Sequence, residues 1–373
     1  MVSMNVVEST PHATNCREHR ILFLFSGAAN RKRIVGEIAR GENADTALRG
    51  ANHIAGAEFI DVEATVRGMV PTWFYHLLPW QARSIVLYPR MFAYDVIIAQ
   101  DDLLLGYLVS LTARFLHKKT RWFCIVVNSS VLIRRHTAHL MRLFMLKTFW
   151  KSYTRIICLS REQLEDLARI GISRERLVFV PFGIDADFYA PVDNSHEEDF
   201  ILSVGRDLGR DYPTLLEAAK RSNHPFVIVA ARKNLSADTP LPPNVSMRYD
   251  LPLTEVRDLY ARAKMVVVVS KEEDAPEGSD CSGQTVILDA MAAGKVVIAT
   301  ERSWMRDYFT PDKELVIVAP HDPATLAAAI ERLWSDVQER VRMAAAGRAK
   351  VQGHYTTKTF AAALQDIVIP SPQ

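Results

Sequence analysis

Residues 265–300 constrain the fold more tightly than any other stretch. An apolar run ends at Ser270. After a polar segment comes the turn Asp280-Cys281-Ser282-Gly283-Gln284-Thr285, then a helical pattern stopped by Gly294, then the wholly apolar run 296–299 closed by Thr300. Short runs without a polar alternation read as strands buried on both faces, and a glycine after a helical period reads as a stop. The segment is therefore a β-loop-α-β unit, the building block of a parallel sheet.

The opening of that helix has a chemistry of its own. First-turn amides have no partner within a helix, and the aligned peptide dipoles leave partial positive charge there, so the Ser-Gly-Gln-Thr turn is suited to holding a diphosphate. Asp289 lies one turn beyond Thr285, about 6 Å along the axis, within reach of a ribose attached to that diphosphate. On a plainer reading Thr285 only caps the helix and Asp289 is only solvated. The segment alone leaves both open.

The same alternation runs along the chain. Strand-like runs at 20–26, 94–100, 121–127, 155–159 and 177–181 form a first series, and those at 200–204, 225–230, 245–249, 265–270, 296–300 and 315–318 a second. A chain of 373 residues exceeds one ordinary core and suffices for two α/β domains with mostly parallel sheets. The polar, acidic stretch 192–199 separates the series, placing a first domain at 1–192 and a second at 193–352. Helical patterns at 323–334, 337–350 and 358–367 close the chain, and residues 353–373 are expected to return to the first domain.

Ligands of open parallel sheets sit at the carboxyl ends of the strands. Those ends carry Ser26-Gly27-Ala28-Ala29, whose Gly27 admits a donor close to the backbone, then Gln100-Asp101-Asp102 and Asn128-Ser129-Ser130, with Arg248 to Asp250 a candidate border for a nucleobase. Gly205-Arg206-Asp207-Leu208-Gly209-Arg210 follows the first strand of the second series. Two guanidiniums four residues apart in such a loop can converge on one diphosphate, and fixed cations there ease its departure as charge develops on it. Surface salt bridging is the alternative.

Composition narrows the class. Hydrophobic residues make up 49% and charged residues 24%, the profile of a globular enzyme. Residues 1–20 lack the apolar core of a secretory signal and no apolar run is long enough to span a bilayer, so a cytoplasmic location is expected. The four cysteines show neither a metal-ligand pattern nor a disulfide framework.

Residues 1–190 hold 24 basic and 17 acidic side chains, and most of that excess comes from residues 114–155, with ten Lys or Arg and no acid. Within it, residues 131–151 mix Arg134, Arg135, Arg142 and Lys147 with Leu140, Met141, Phe144 and Met145. This reads either as a helix packed on the sheet with a wet basic side, or as peripheral contact with an anionic membrane. No nucleic-acid module accompanies the charge.

Three stretches taken together resemble the retaining nucleotide-sugar glycosyltransferases of family 4. They are Gly183-Ile184-Asp185 with Phe188 and Pro191, Gly205-Arg206 with Arg210-Asp211 and Leu215-Leu216-Glu217-Ala218, and Asp289-Ala290-Met291-Ala292-Ala293-Gly294. The resemblance covers the second half well, and the first half only in strand order and in residues 155–191. It implies two facing Rossmann-like domains (GT-B) and sugar transfer from a nucleoside diphosphate to an acceptor hydroxyl with retention, with no cofactor or metal.

By that resemblance Arg206 and Arg210 are catalytic. Gly205 binds the donor, the amides of Ser282, Gly283, Gln284 and Thr285 hold its phosphates, Asp289 holds the ribose, the donor's own phosphate serves as base, and the basic first domain takes an unknown acceptor. The chain departs from the family where Lys usually stands at 210, Glu at 281 and 289, and His after the strand ending at Asn128. Asp102, Asn128, Asp280, Glu277 or a main-chain group are then left to meet acceptor or sugar. A catalytically inactive binding subunit and a nonhydrolysing nucleotide-sugar epimerase are the rival readings.

Overall fold

A computed structural model of the chain describes residues 19–27, 29–100, 103–137, 139–191, 197–236, 238–275 and 277–369. Ala28, Asp101, Asp102 and the expected boundary at 192/193 lie outside the described residues.

The first sheet comprises β1 (Ile21–Phe25), β2 (Ala57–Asp61), β3 (Val96–Gln100), β4 (Arg121–Val126), β5 (Arg155–Cys158) and β6 (Leu177–Phe179), in the order β2-β1-β3-β4-β5-β6. The second comprises β7 (Ile201–Gly205), β8 (Phe226–Ala230), β9 (Val245–Tyr249), β10 (Met265–Val268), β11 (Val297–Thr300) and β12 (Val316–Val318), in the order β12-β11-β10-β7-β8-β9. Neighbouring strands in both sheets pair in parallel. Helices cover both faces, which is why the central strands are mostly apolar: β1, β10 and β11 are buried at every position.

Two elements differ from the sequence reading. β2 was not expected, because Ala-Glu-Phe-Ile-Asp has only one β-branched residue and, as an edge strand, only one fully buried position. The basic stretch 131–151 is two helices, Ser129–His136 and Leu140–Trp150. The break follows Thr137, whose hydroxyl donates to the Arg134 carbonyl and competes with helix continuation. The first helix packs on the helix Arg161–Arg169, the second on the helix Leu103–Phe115.

The strand orders position the site. In the second sheet, crossovers leave β7 in one direction through β8 and β9 and in the other through β10 to β12, so the crevice at their junction opens beyond the carboxyl ends of β7 and β10. The Arg206–Arg210 loop leaves β7, and the turn before the helix Gln284–Ala292 follows β10.

The domains face each other across shared polar contacts. Tyr308 accepts from the Phe182 amide at 2.8 Å and donates to the Leu159 carbonyl at 2.7 Å. The chain then returns: Ile184 donates to the Tyr355 carbonyl and Thr357 to the Ile184 carbonyl, both at 2.9 Å. The final helix, Thr357–Val368, packs its Phe360 ring on Phe182, 5.2 Å between centroids. The return of the last segment to the first domain is as expected.

Candidate functional site

Two adjoining cavities occupy the cleft between the domains. The larger, about 840 Å³, is walled on the second-domain side by Leu251, Leu253, Val256, Tyr260 and Asp289, and on the first-domain side by Arg33, Glu37 and Asn43. The smaller, about 290 Å³, is lined by Arg49 and Phe182 from the first domain and by Arg206, Arg210, Cys281 and residues 283–286 from the second. Gly205, Arg206 and Val286 belong to both walls, so the cavities form one continuous cleft.

Arg210 lines the smaller cavity. Its backbone bridges Ser270, and its side chain is only 6% exposed, folded against Gly205 and Gly283. A Cβ on residue 205 would stand 2.3 Å from Arg210 Nε, so the guanidinium needs glycine there. Arg210 Nε and Nη1 have no acceptor among the described residues, and the same holds for Ser270 Oγ, Ser282 Oγ and Gln284 Nε2. Buried donors without partners cost stability, and a buried unpaired charge costs most. Two of them lie together beside the helix start, where a Cβ on Gly283 would stand 3.1 Å from Arg210 Nη1 and 3.7 Å from Ser270 Oγ; Arg210 and Gln284 line the smaller cavity, whereas Ser270 and Ser282 line neither.

The helix Gln284–Ala292 adds to that set. Its N-cap is Gly283 at φ 91°, and no side chain caps it, so the first-turn amides of Thr285 and Val286 are left toward the cleft. Arg206 is exposed and pinned from the other side, Nη2 donating to the Leu251 carbonyl at 3.1 Å. The structure therefore brings Arg206, Arg210, Gly205 and Gly283–Thr285 to one cavity.

Asp289 lines the larger cavity one turn down the helix. Burial pushes its carboxyl well above the usual carboxylate range, while the hydrogen bond from the Tyr189 hydroxyl pulls it back. Cys281 lines the smaller cavity and burial raises its thiol, so it is a neutral side chain at neutral pH.

Other sequence candidates lie elsewhere. Asp280 does not line either cavity. Its carboxylate is 5% exposed and reaches into the first domain, accepting from the Ser130 and Val131 amides and from Gln163 Nε2, each at 2.9 Å. It thus satisfies the amino end of the helix Ser129–His136 from across the interface, a position that leaves no oxygen facing the cleft. Asn128 precedes that helix, and its neighbour Val127 reaches the cleft instead.

Gly27 is exposed at the end of β1 and lines neither cavity. Glu277 pairs with Lys271 at 3.1 Å. Arg248 to Asp250 stop short of the larger cavity, whose wall begins at Leu251.

Sequence reasoning missed Arg49, Tyr189 and residues 251–256. Arg49 follows a short 3-10 turn in left-handed backbone at φ 49°, with its guanidinium over the Phe182 ring. Its place in the site depends on how the domains face each other, which no local pattern encodes. Among the described residues no group of three or more His, Cys, Asp or Glu side chains is placed to hold a metal ion.

Residues 210–366 match the family model of glycosyl transferase-like proteins. HepE from Anabaena, solved with UDP and glucose, superposes with a TM-score of 0.68 at 16% identity, covering 95% of this chain and 100% of that one. Its complex with UDP-glucose gives 0.68 at 16% over 94% and 99%. Sucrose-phosphate synthase from Thermosynechococcus elongatus gives 0.66 at 19% identity over 93% of this chain and 98% of that one. No curated protein sequence matches the chain. Two parallel six-stranded sheets, each with its helices, facing each other across a cleft give this chain the GT-B fold, and most of its second domain carries the glycosyl transferase-like signature.

Proposed function

We propose that the chain is a glycosyltransferase that moves a sugar from a nucleoside diphosphate to an acceptor hydroxyl, with retention at the anomeric carbon as the family-4 resemblance implies. The observation that carries this reading is the group of buried, unpartnered donors of Arg210, Ser270, Ser282 and Gln284 at the amino end of the helix Gln284–Ala292. Such a set suits a diphosphate that is present only during turnover.

In this reading the larger cavity takes the nucleoside, its base against Leu251 and Leu253 and its ribose at Asp289. The diphosphate lies on the amides of Thr285 and Val286 between Arg206 and Arg210. As the anomeric C–O bond breaks, the bonding pair stays on the β-phosphate oxygen, where Arg210 and Arg206 stabilise it. The acceptor oxygen bonds to the anomeric carbon on the same face, and its proton passes to a phosphate oxygen of the departing diphosphate. Arg49 closes the cavity from the first domain, and the Cys281 position meets the sugar without a carboxylate.

UDP-hexoses are the donors to test first, because HepE was solved with UDP and with UDP-glucose. The basic, apolar-studded face of the first domain is read as lying on an anionic membrane. Among the described residues no helix is long and apolar enough to cross one.

A panel of UDP-, GDP- and dTDP-sugars, followed by release of the free nucleotide, tests the proposal. A transferase slowly hydrolyses its proper donor, and Ala at both Arg206 and Arg210 abolishes the release. A chain that binds a nucleotide but hydrolyses none of its sugars would instead be a binding subunit.

A further inference from the structure

The first domain carries a second concave site, on the edge of its sheet opposite the cleft. Three adjoining hollows of about 350, 640 and 230 Å³ share Arg114, and around them stand Lys118, Lys151 and Arg176. Thr120 and Thr154 line the first hollow just before β4 and β5 begin, whereas the cleft lies beyond the strands' other ends. The hollows are therefore no part of the donor site.

The four cations have no carboxylate partner among the described residues. Nearby basic residues do: Arg174 is held by Glu165 at 2.6 Å, and Arg169 pairs with Asp166. Arg176 is instead fixed by two main-chain carbonyls, those of Lys151 and Tyr153, which position the guanidinium without neutralising it. Lys147 approaches from the side, its Nζ packed over Gly171 on the rim. The carboxyl end of the helix Leu103–Phe115 eases the repulsion around Arg114 but supplies no anion. A concave, uncompensated cluster of this kind is complementary to phosphate.

Its surroundings say where the phosphate comes from. On the helix Leu103–Phe115, Leu111 and Phe115 form an exposed stripe one position round from Ser110 and Arg114, and Leu116 extends it. On the helix Leu140–Trp150, Leu140 and Phe144 are 81% and 66% exposed, and the stripe runs into Thr148, which lines the third hollow beside Leu111. Large apolar side chains in water around a concave basic crevice match an anionic bilayer, with headgroups at the crevice and acyl chains under the apolar rim. Arg134, on the separate helix Ser129–His136, is turned to Glu162 at 3.7 Å, so the basic stretch contributes less of its charge here than expected.

We infer that Arg114, Lys118, Lys151 and Arg176 form a binding crevice for the phosphate of an anionic phospholipid headgroup, seated by the flanking apolar side chains. This rests on the membrane reading above, and its test is independent of sugar transfer. The full chain is sedimented at low ionic strength with vesicles of phosphatidylcholine alone and of phosphatidylcholine mixed with phosphatidylglycerol. The wild type binds only the mixed vesicles.

The triple variant R114Q/K118Q/K151Q loses about a hundredfold in binding, from roughly a fivefold contribution per basic side chain at an anionic surface. It keeps its circular dichroism spectrum and its nucleotide affinity. R135Q/R142Q, two exposed cations outside the crevice, serves as the comparison and loses no more than about 25-fold, the same fivefold for each charge. If the triple variant binds like wild type while R135Q/R142Q is lost, the crevice is wrong and the membrane reading survives. If the wild type stays in the supernatant, both fall. Inorganic phosphate that raises the thermal midpoint of a wild type indifferent to mixed vesicles would identify a free anion and overturn the lipid assignment.

Discussion

Replacing Arg210 by Met separates the functional reading from a structural one, because the two predict opposite signs. Arg210 is 6% exposed, and its Nε and Nη1 have no acceptor among the described residues, so in the empty protein it is a buried charge with incomplete compensation. Met fills similar space without the charge. Removing such a group is neutral or stabilising, by up to about 2 kcal/mol. In the proposed reading, a bound diphosphate takes charge-assisted bonds from the same guanidinium on oxygens that gain charge in the transition state.

Their loss costs about 2–4 kcal/mol, or roughly thirty- to a thousandfold in kcat/KM. Urea unfolding of the free protein gives the first quantity, and nucleotide release from the preferred donor gives the second. The expected result is an Arg210→Met protein at least as stable as wild type and nearly inactive. A variant destabilised by about 2 kcal/mol or more that still turned over its donor at the wild-type rate would show that Arg210 is a structural residue, and the reasoning would be refuted.

Arg49→Ala, which removes a half-buried cation from the smaller cavity, is expected to lower kcat/KM about tenfold with little change in urea midpoint. Asp280→Ala strips the acceptor from two amides and Gln163 across the domain interface; it should cost about 2–4 kcal/mol in urea unfolding and enlarge the radius of gyration seen by X-ray scattering. For Asp289 the folded carboxyl is raised above its ordinary value of 3.8, so the folded state holds the proton more tightly. Wild type therefore loses stability relative to Asp289→Asn as pH rises from about 4 toward the folded value, and unfolding midpoints of the two proteins across pH should diverge in that direction.

The parallel sheets could be read from sequence because their central strands are buried on both faces and so carry uninterrupted apolar runs bounded by polar turns. The convergence of Arg210 and Gly283 could be anticipated for a related reason: both lie in loops after strands of one sheet, and strand ends share an edge. β2 escaped because an edge strand with a half-wet face lacks that run. The division into two helices, Ser129–His136 and Leu140–Trp150, escaped because an apolar-basic pattern shows which residues face inward without showing that two helices face different neighbours.

Asp280 was placed with the sugar because it adjoins the phosphate turn, yet its side chain points the other way and is taken by the first domain. Arg49 and the wall at residues 251–256 depend on how the two domains oppose each other. That arrangement is fixed by contacts between residues more than a hundred positions apart, such as Phe182 with Tyr308.

Sugar transfer by this chain requires a diphosphate seated between Arg210 and the amino end of the helix Gln284–Ala292. A crystal structure of the chain with UDP measures this directly. It should show phosphate oxygens within about 3 Å of Arg210 and of the Thr285 amide, with the ribose at Asp289. UDP ordered outside the cleft, or a cleft still empty at saturating nucleotide, would contradict it.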